Sequence, residues 1–226
     1  MCLNVLGRGA LAYSAQDMVA ESGIRGGLVV HLGCGDGHVT AQLKANNSYL
    51  IHGLDTNAKY VEMARDHIKS LGLYGKVSVD TFDGVHLPYN DNMVNLVVAD
   101  DLGQVSMDEV ARVLVPLGVA MVNGEKTTKL WPKEIDEWPQ YLHGADNNAV
   151  AKDTVVGPPR HLKWVDDPAW GRSHMGISTV MSIVSSKGRL FSIEDRATPE
   201  NPLLESQFYV IARDAFNGLE LSGEKR

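Results

Sequence analysis

Short apolar runs alternate with helically patterned stretches across the first half of the chain. Gly27–Leu32 (GLVVHL), Tyr49–Leu54, Lys76–Thr81, Met93–Ala99 and Gly118–Asn123 have the length and the β-branched content of strands. Between them, a stretch reaching about Ala45, another over Asn57–Gly72 and a short one over Ser106–Leu114 read as helices. Asn57 is placed to cap the second of these, because its side-chain oxygen takes a free N–H of the first turn. Gly72 is placed to stop it, because glycine enters the left-handed region without penalty. Inside that helix Val61, Ala64, Ile68 and Leu71 recur at helical spacing, which predicts one buried stripe. Strands that are apolar throughout and separated by helices predict a parallel sheet covered on both faces.

The period changes in the second half. Thr179–Ser185, Arg189–Ile193 and Phe208–Arg213 read as strands, with Ser186-Lys187-Gly188 and Asn217-Gly218 as turns. His143–Pro159 is polar and proline-bearing and reads as irregular, and no helix is expected after residue 140. All four tryptophans (Trp131, Trp138, Trp164, Trp170) and seven of the nine prolines follow residue 130. This shift places a boundary within Gly124–Pro132 and divides the chain into residues 1–130 and 131–226.

Composition narrows the reading. A net charge of −7 argues against a general nucleic-acid coat, which needs a basic face. Cys2 and Cys34 form no spaced framework and are expected as free thiols in a reducing compartment. There is no apolar run of membrane-spanning length, and Met1–Tyr13 lack the basic and apolar regions of a signal peptide. The chain as written is expected in the cytoplasm, or in a secreted or periplasmic compartment if a signal precedes it. His143, His161 and His174 share no ligand spacing, so no metal is expected.

The chemistry concentrates in His31-Leu32-Gly33-Cys34-Gly35-Asp36-Gly37, which follows a strand and opens a helix. Glycines there let the backbone turn sharply and let a ligand approach with no Cβ in the way. The following helix N-terminus presents unpaired N–H groups. A dinucleotide fingerprint would need glycine at 38, where His38 stands. The G-x-G-x-G spacing instead resembles the first motif of class I S-adenosylmethionine-dependent methyltransferases. Asp55 ends the second strand about 20 residues on, where a carboxylate accepts from ribose hydroxyls; the alternative is that it caps the next helix. Asp83-Gly84-Val85-His86-Leu87-Pro88-Tyr89 resembles the family's D-x-x-x-L-P-F stretch, and Arg112-Val113-Leu114-Val115-Pro116-Leu117-Gly118 its R-V-L-K-P-G-G turn.

The resemblance covers about 110 residues. It implies a Rossmann-like α/β domain, doubly wound with a mostly parallel sheet, and S-adenosylmethionine as cofactor. It implies a cofactor site of His31, Gly33, Cys34, Gly35, Asp36, Gly37, Asp55, Asp83 and Gly84, with Asp83 facing the adenine amino group. Two positions depart from the pattern. His31 stands where an acidic residue usually contacts the cofactor's ammonium group, and Asn95 replaces the usual aspartate of the fourth strand. Asp100 and Asp101, just past the fourth strand, are the candidates for a catalytic base. The methyl acceptor is not legible. The competing function is a non-catalytic binding or scaffold module.

Ala212-Arg213-Asp214-Ala215-Phe216-Asn217-Gly218-Leu219-Glu220-Leu221 resembles the A-x-D-x-x-T-G-x-x-L-W blade ending of quinoprotein-like β-propellers, with Ser222 at the tryptophan position. The order of segments resembles bacterial proteins that fuse a methyltransferase domain to such a propeller. Residues 131–226 suffice for about two blades and cannot close a ring, which implies an incomplete all-β segment. Unclosed edges leave N–H and C=O groups unpaired. The expectation is loose order, a charged tail at 223–226, and self-association through those edges.

Overall fold

The computed structural model describes residues 14–158, 162–166, 179–197 and 205–225. Cys2, His161, Trp170 and His174 lie outside the described residues. The first strand, β1 (Gly27–Leu32), is followed by α2 (His38–Gln42), β2 (Tyr49–Asp55), α3 (Ala58–Ser70), β3 (Val77–Thr81), β4 (Val94–Ala99), α4 (Met107–Val113) and β5 (Leu114–Val122). A short helix α1 (Ala15–Ser22) precedes them, and strand β6 (Glu125–Thr128) follows. The sheet runs in the order β3-β2-β1-β4-β5-β6. β1 to β5 are parallel, while β6 pairs antiparallel with β5.

This is the doubly wound architecture that the apolar runs predict. Residues of β1 and β4 are buried along their whole length because helices cover both faces. One face packs Val29, Ile51 and Leu96 against Val61, Ala64 and Ile68 of α3. The other packs Val30, Leu54 and Val97 with Val110 and Val113 of α4. Asn57 caps α3 as expected, its side-chain oxygen accepting from Lys59 N, and Gly72 takes φ 68°.

Four local expectations need correction. Leu71 is 51% exposed, because α3 ends at Ser70 and Leu71 is its C-cap, rotated off the buried stripe. Within the Gly124–Pro132 stretch, where the sequence reading placed no strand, Glu125–Thr128 pairs with Val119–Val122 as β6. β5 begins at Leu114 rather than Gly118, through a break in register that accommodates Leu117 at φ 65°. The stretch after the glycines does not stay helical to Ala45; α2 stops at Gln42.

The second half forms β7 (Val180–Ser186), β8 (Arg189–Asp195), β9 (Phe208–Asp214) and β10 (Glu220–Lys225), an antiparallel sheet in the order β10-β9-β8-β7. The expected charged tail is its outermost strand. Arg213 is buried within it, held by Glu194 and by Asp166 at 2.7 Å. Among the described residues there is no helix after residue 140.

The second sheet is joined to the first, which overturns the expectation of loose order. Asn95, at the start of β4, donates from Nδ2 to Asp214 Oδ2 at 2.6 Å. Its Oδ1 accepts from Leu28 N and from Asn217 Nδ2, both at 2.8 Å. Asn217 also donates to Met93 O, and Ser48 Oγ donates to Leu221 O. The turn that closes the resembling blade ending is thus the element that docks on the α/β sheet.

Candidate functional site

The glycine turn sits beyond the carboxyl end of β1 and is sewn to the end of β2. Gly33 N and Cys34 N both donate to Leu54 O, at 2.8 and 3.1 Å. Gly33, Gly35 and Gly37 all have positive φ, at 73°, 51° and 84°. They are not equivalent. A Cβ on Gly33 or Gly35 would meet nothing within 4 Å, so these two glycines leave an open face above the turn. A Cβ on Gly37 would lie 2.8 Å from Ala64, so this glycine serves the close packing of the turn on α3.

Asp55 organises the turn. Its Oδ2 accepts from Gly35 N at 3.1 Å and its Oδ1 from Asn57 N at 2.9 Å. The carboxylate therefore ties the glycine turn to the start of α3, whose cap is Asn57. The loop after β3 comes to the same place: a Cβ on Gly84, at φ 84°, would be 2.9 Å from Thr56 Cγ2. Asp83 Oδ1 accepts from Val85 N and His86 N, and its Oδ2 meets His86 Nδ1 at 2.8 Å. The His86 N–H holds the exposed Asp83 carboxyl down at about 2.

His31 turns away from the open face. Its side chain is 6% exposed, and Nδ1 lies 2.8 Å from Oγ1 of Thr40 on α2. Burial lowers its pKa to about 4, against the opposing pull of Asp100 and Asp55. The ring is neutral at pH 7, and its charging belongs near pH 4 rather than in the ordinary histidine range. Cys34 is 3% exposed, and burial pushes its thiol up to about 12. Asp36 is exposed and spends one oxygen on His38, accepting from its N–H at 3.2 Å. The first donors of the short helix α2 are thus partly used by the protein, with Gly37 N also donating to Cys34 O.

The structure brings Gly33–Gly37, Asp55, Gly84 and the Asp83–His86 loop to one end of the sheet. Asp100 and Asp101 follow β4 at that same end. Both are exposed, and Asp101 Oδ1 accepts from Gly103 N in a local turn. Asn95 is at the other end of β4. Sequence reasoning missed Gly53, whose missing Cβ makes room for Cys34 Cβ at 2.8 Å and so seats the turn. It also missed Thr40 as the partner of His31. A glycine inside an apolar strand was the available signal for the first. Among the described residues no group of three or more potential ligands could hold a metal.

Residues 29–118 match the family model described as a methyltransferase domain. The chain is 34% identical over 125 residues to methyltransferase GfsG of Streptomyces halstedii, covering 46% of this chain and 45% of that protein. The chain therefore spans less than half the length of this curated relative. Among solved structures, the [4+2]-cyclase SpnF is 31% identical, with 47% of this chain and 42% of that chain covered and a TM-score of 0.43. A SAM-dependent methyltransferase from Aquifex aeolicus is 20% identical, with 49% and 63% covered and a TM-score of 0.44. Residues 29–118 are thus similar to methyltransferase domains, over less than half of the chain.

Proposed function

We propose that the chain is an S-adenosylmethionine-dependent methyltransferase whose cofactor lies over Gly33 and Gly35. The observation that carries this is the open face above those two glycines, combined with Asp55 fixing both the turn and the start of α3. The residues present fit the group: backbone left open at Gly33 and Gly35, with the Asp55 and Asp83 carboxylates following β2 and β3 at the same end of the sheet. His31, Cys34, Asp36 and Gly37 shape the turn from below and from its ends, and Gly84 lets the Asp83 loop close on Thr56. When bound, the cofactor supplies a methyl group on a sulfonium, which an aligned nucleophile takes with little acid–base help. The protein's part is to orient, and to remove a proton where the acceptor carries one; Asp100 and Asp101 are the groups offered for that at the end of β4.

The division at residue 130 and the blade nature of residues 131–226 belong to the same reading. A four-stranded antiparallel meander, closed by an Asp214-to-Gly218 turn, supports one blade. No helix of the described residues is long and apolar enough to cross a membrane. A non-catalytic module is favoured by one observation: with His31 committed to Thr40, that position offers no carboxylate to an ammonium group.

Calorimetric titration of the full chain with S-adenosylhomocysteine tests the site. One molecule bound per chain is expected, with binding abolished in Gly35→Val, whose side chain enters the open face. Undiminished affinity in that variant places the cofactor elsewhere. Methyl transfer to water-soluble acceptors in a lysate, read with labelled cofactor, separates the enzyme from the binding module.

A further inference from the structure

We propose that the cleft between the two sheets is a second ligand site, taking a molecule with one carboxylate or phosphate group on an apolar body. The cleft has a volume of about 560 Å³, within the range of small-molecule sites. It lies at the amino ends of β1 and β4, the opposite end of the sheet from the glycine turn, so it is separate from the cofactor site. Ile24, Val115 and Leu117 of the α/β unit form one apolar side, and Phe191, Phe216 and Leu221 of the second sheet form the other.

Charge decides the ligand. Arg25, Lys187 and Arg189 line the cleft and all three are exposed. Among the described residues none of their side chains makes a salt bridge, although the Glu137 carboxylate lies at the Lys187 backbone. Three cations therefore gather at one opening in a chain whose net charge is −7. Among the described residues the one acidic side chain in the lining is Asp214, and its oxygens are already engaged. Oδ1 accepts from Phe216 N and Asn217 N, and Oδ2 from Asn95 Nδ2. A second cleft of similar size, about 540 Å³, lacks this bias, since its lining holds Lys76 together with Asp166 and Glu220.

Lys187 adds an independent point. It sits at φ 47°, a left-handed conformation that Asn or Gly adopts more cheaply in a hairpin turn. A long cation stands where the backbone favours a smaller residue. Its backbone N–H is held by the Glu137 carboxylate, which ties the turn to the segment before the second sheet. Apolar walls alone would take any hydrophobic molecule. Three exposed cations without salt-bridge partners favour an anionic head, and the interaction weakens with salt.

The probes are octanoate, octyl phosphate and uncharged 1-octanol, titrated calorimetrically into the full chain at low ionic strength. One site per chain is expected, with the better of the two anions bound at least tenfold more tightly than the alcohol. Arg25→Ser combined with Arg189→Ser should remove that preference, as should Lys187→Ser in part, all three positions being exposed. Saturating S-adenosylhomocysteine should leave octanoate binding unchanged, and Gly35→Val should retain it, so failure of the cofactor reading and failure of this one are separable. Equal affinity for anion and alcohol, an unchanged preference in the double variant, or displacement by S-adenosylhomocysteine would each overturn the proposal.

Discussion

Acidification should expose the burial of His31 as a loss of stability that one substitution removes. The imidazole is 6% exposed, and its pKa is lowered from 6.5 to about 4 by burial. In the unfolded chain it titrates near its ordinary value, so between about pH 6.5 and 4 the unfolded state holds a proton that the folded state refuses. Stability therefore falls as pH falls through that window, and the loss is complete only below the folded pKa. At 1.36 kcal/mol per pH unit, the difference amounts to about 2 kcal/mol by pH 5 and about 3 kcal/mol by pH 4. The lowered carboxylates Asp83, Asp136 and Glu109, each near 2, contribute in the other window, below the ordinary carboxylate range. Urea unfolding of the parent and of His31→Gln at pH 7, 6, 5 and 4.5 isolates the term, since all other groups are shared and glutamine can still reach Thr40. The parent should lose about 2 kcal/mol more than the variant between pH 7 and 5. Parallel pH curves would show that His31 is charged or solvated in the folded protein. A corollary concerns the cofactor: His31 should impose no pH dependence on S-adenosylhomocysteine affinity between pH 6 and 8.

Three other outcomes follow from the same geometry. Asp55→Ala removes the acceptor of two backbone N–H groups, Gly35 N and Asn57 N, and should cost about 2–4 kcal/mol of stability in denaturant unfolding and weaken S-adenosylhomocysteine binding at least tenfold. Asn95→Asp sets a second carboxylate about 2.6 Å from Asp214 and should destabilise the chain by about 3 kcal/mol at pH 7. The companion change Asp214→Asn should recover most of that loss, and a double variant no better than Asn95→Asp alone would deny the contact. Cys34 should react with a disulfide reagent at pH 8 only as fast as the protein opens, because its thiol is buried and raised to about 12.

What the sequence disclosed and what it hid divide along physical lines. Strands buried on both faces announce themselves as apolar runs, so β1 to β4 were placed to within a residue or so. Helix α3 was equally plain from Asn57, Gly72 and the Val61, Ala64, Ile68 stripe. β6 and β10 were hidden because edge strands carry polar residues: EKTT is exposed throughout, and ELSGEK nearly so. Nothing local marks such a segment as a strand; pairing with β5 or β9 makes it one. The glycine turn and Asp55 were legible as a constellation, since their spacing is set by a turn and one strand. The different duties of Gly35 and Gly37 were not, because they depend on α3, which approaches one glycine and not the other.

Asn95 shows why a departure from a family's pattern is an ambiguous sign until its neighbours are known. Read along the chain, an amide in place of a carboxylate on the fourth strand suggests a cofactor domain losing its function. In space, the residue is at the wrong end of β4 for that argument. At about 3.3 Å per residue, the five residues from Asn95 to Asp100 put it roughly 16 Å from the cofactor side. What surrounds it is Leu28 N, Asn217 Nδ2 and the Asp214 carboxylate. Two of these are donors that any acceptor oxygen would satisfy, but the third is an acceptor and requires an N–H. A carboxylate at 95 would serve the first two and repel the third; an amide serves all three. The substitution follows from the presence of the second sheet, so it records what the methyltransferase-type domain is attached to and carries no information about its catalytic competence. His31 is likewise explained by a neighbour: on β1 just before the glycine turn, it is buried and committed to Oγ1 of Thr40 on α2.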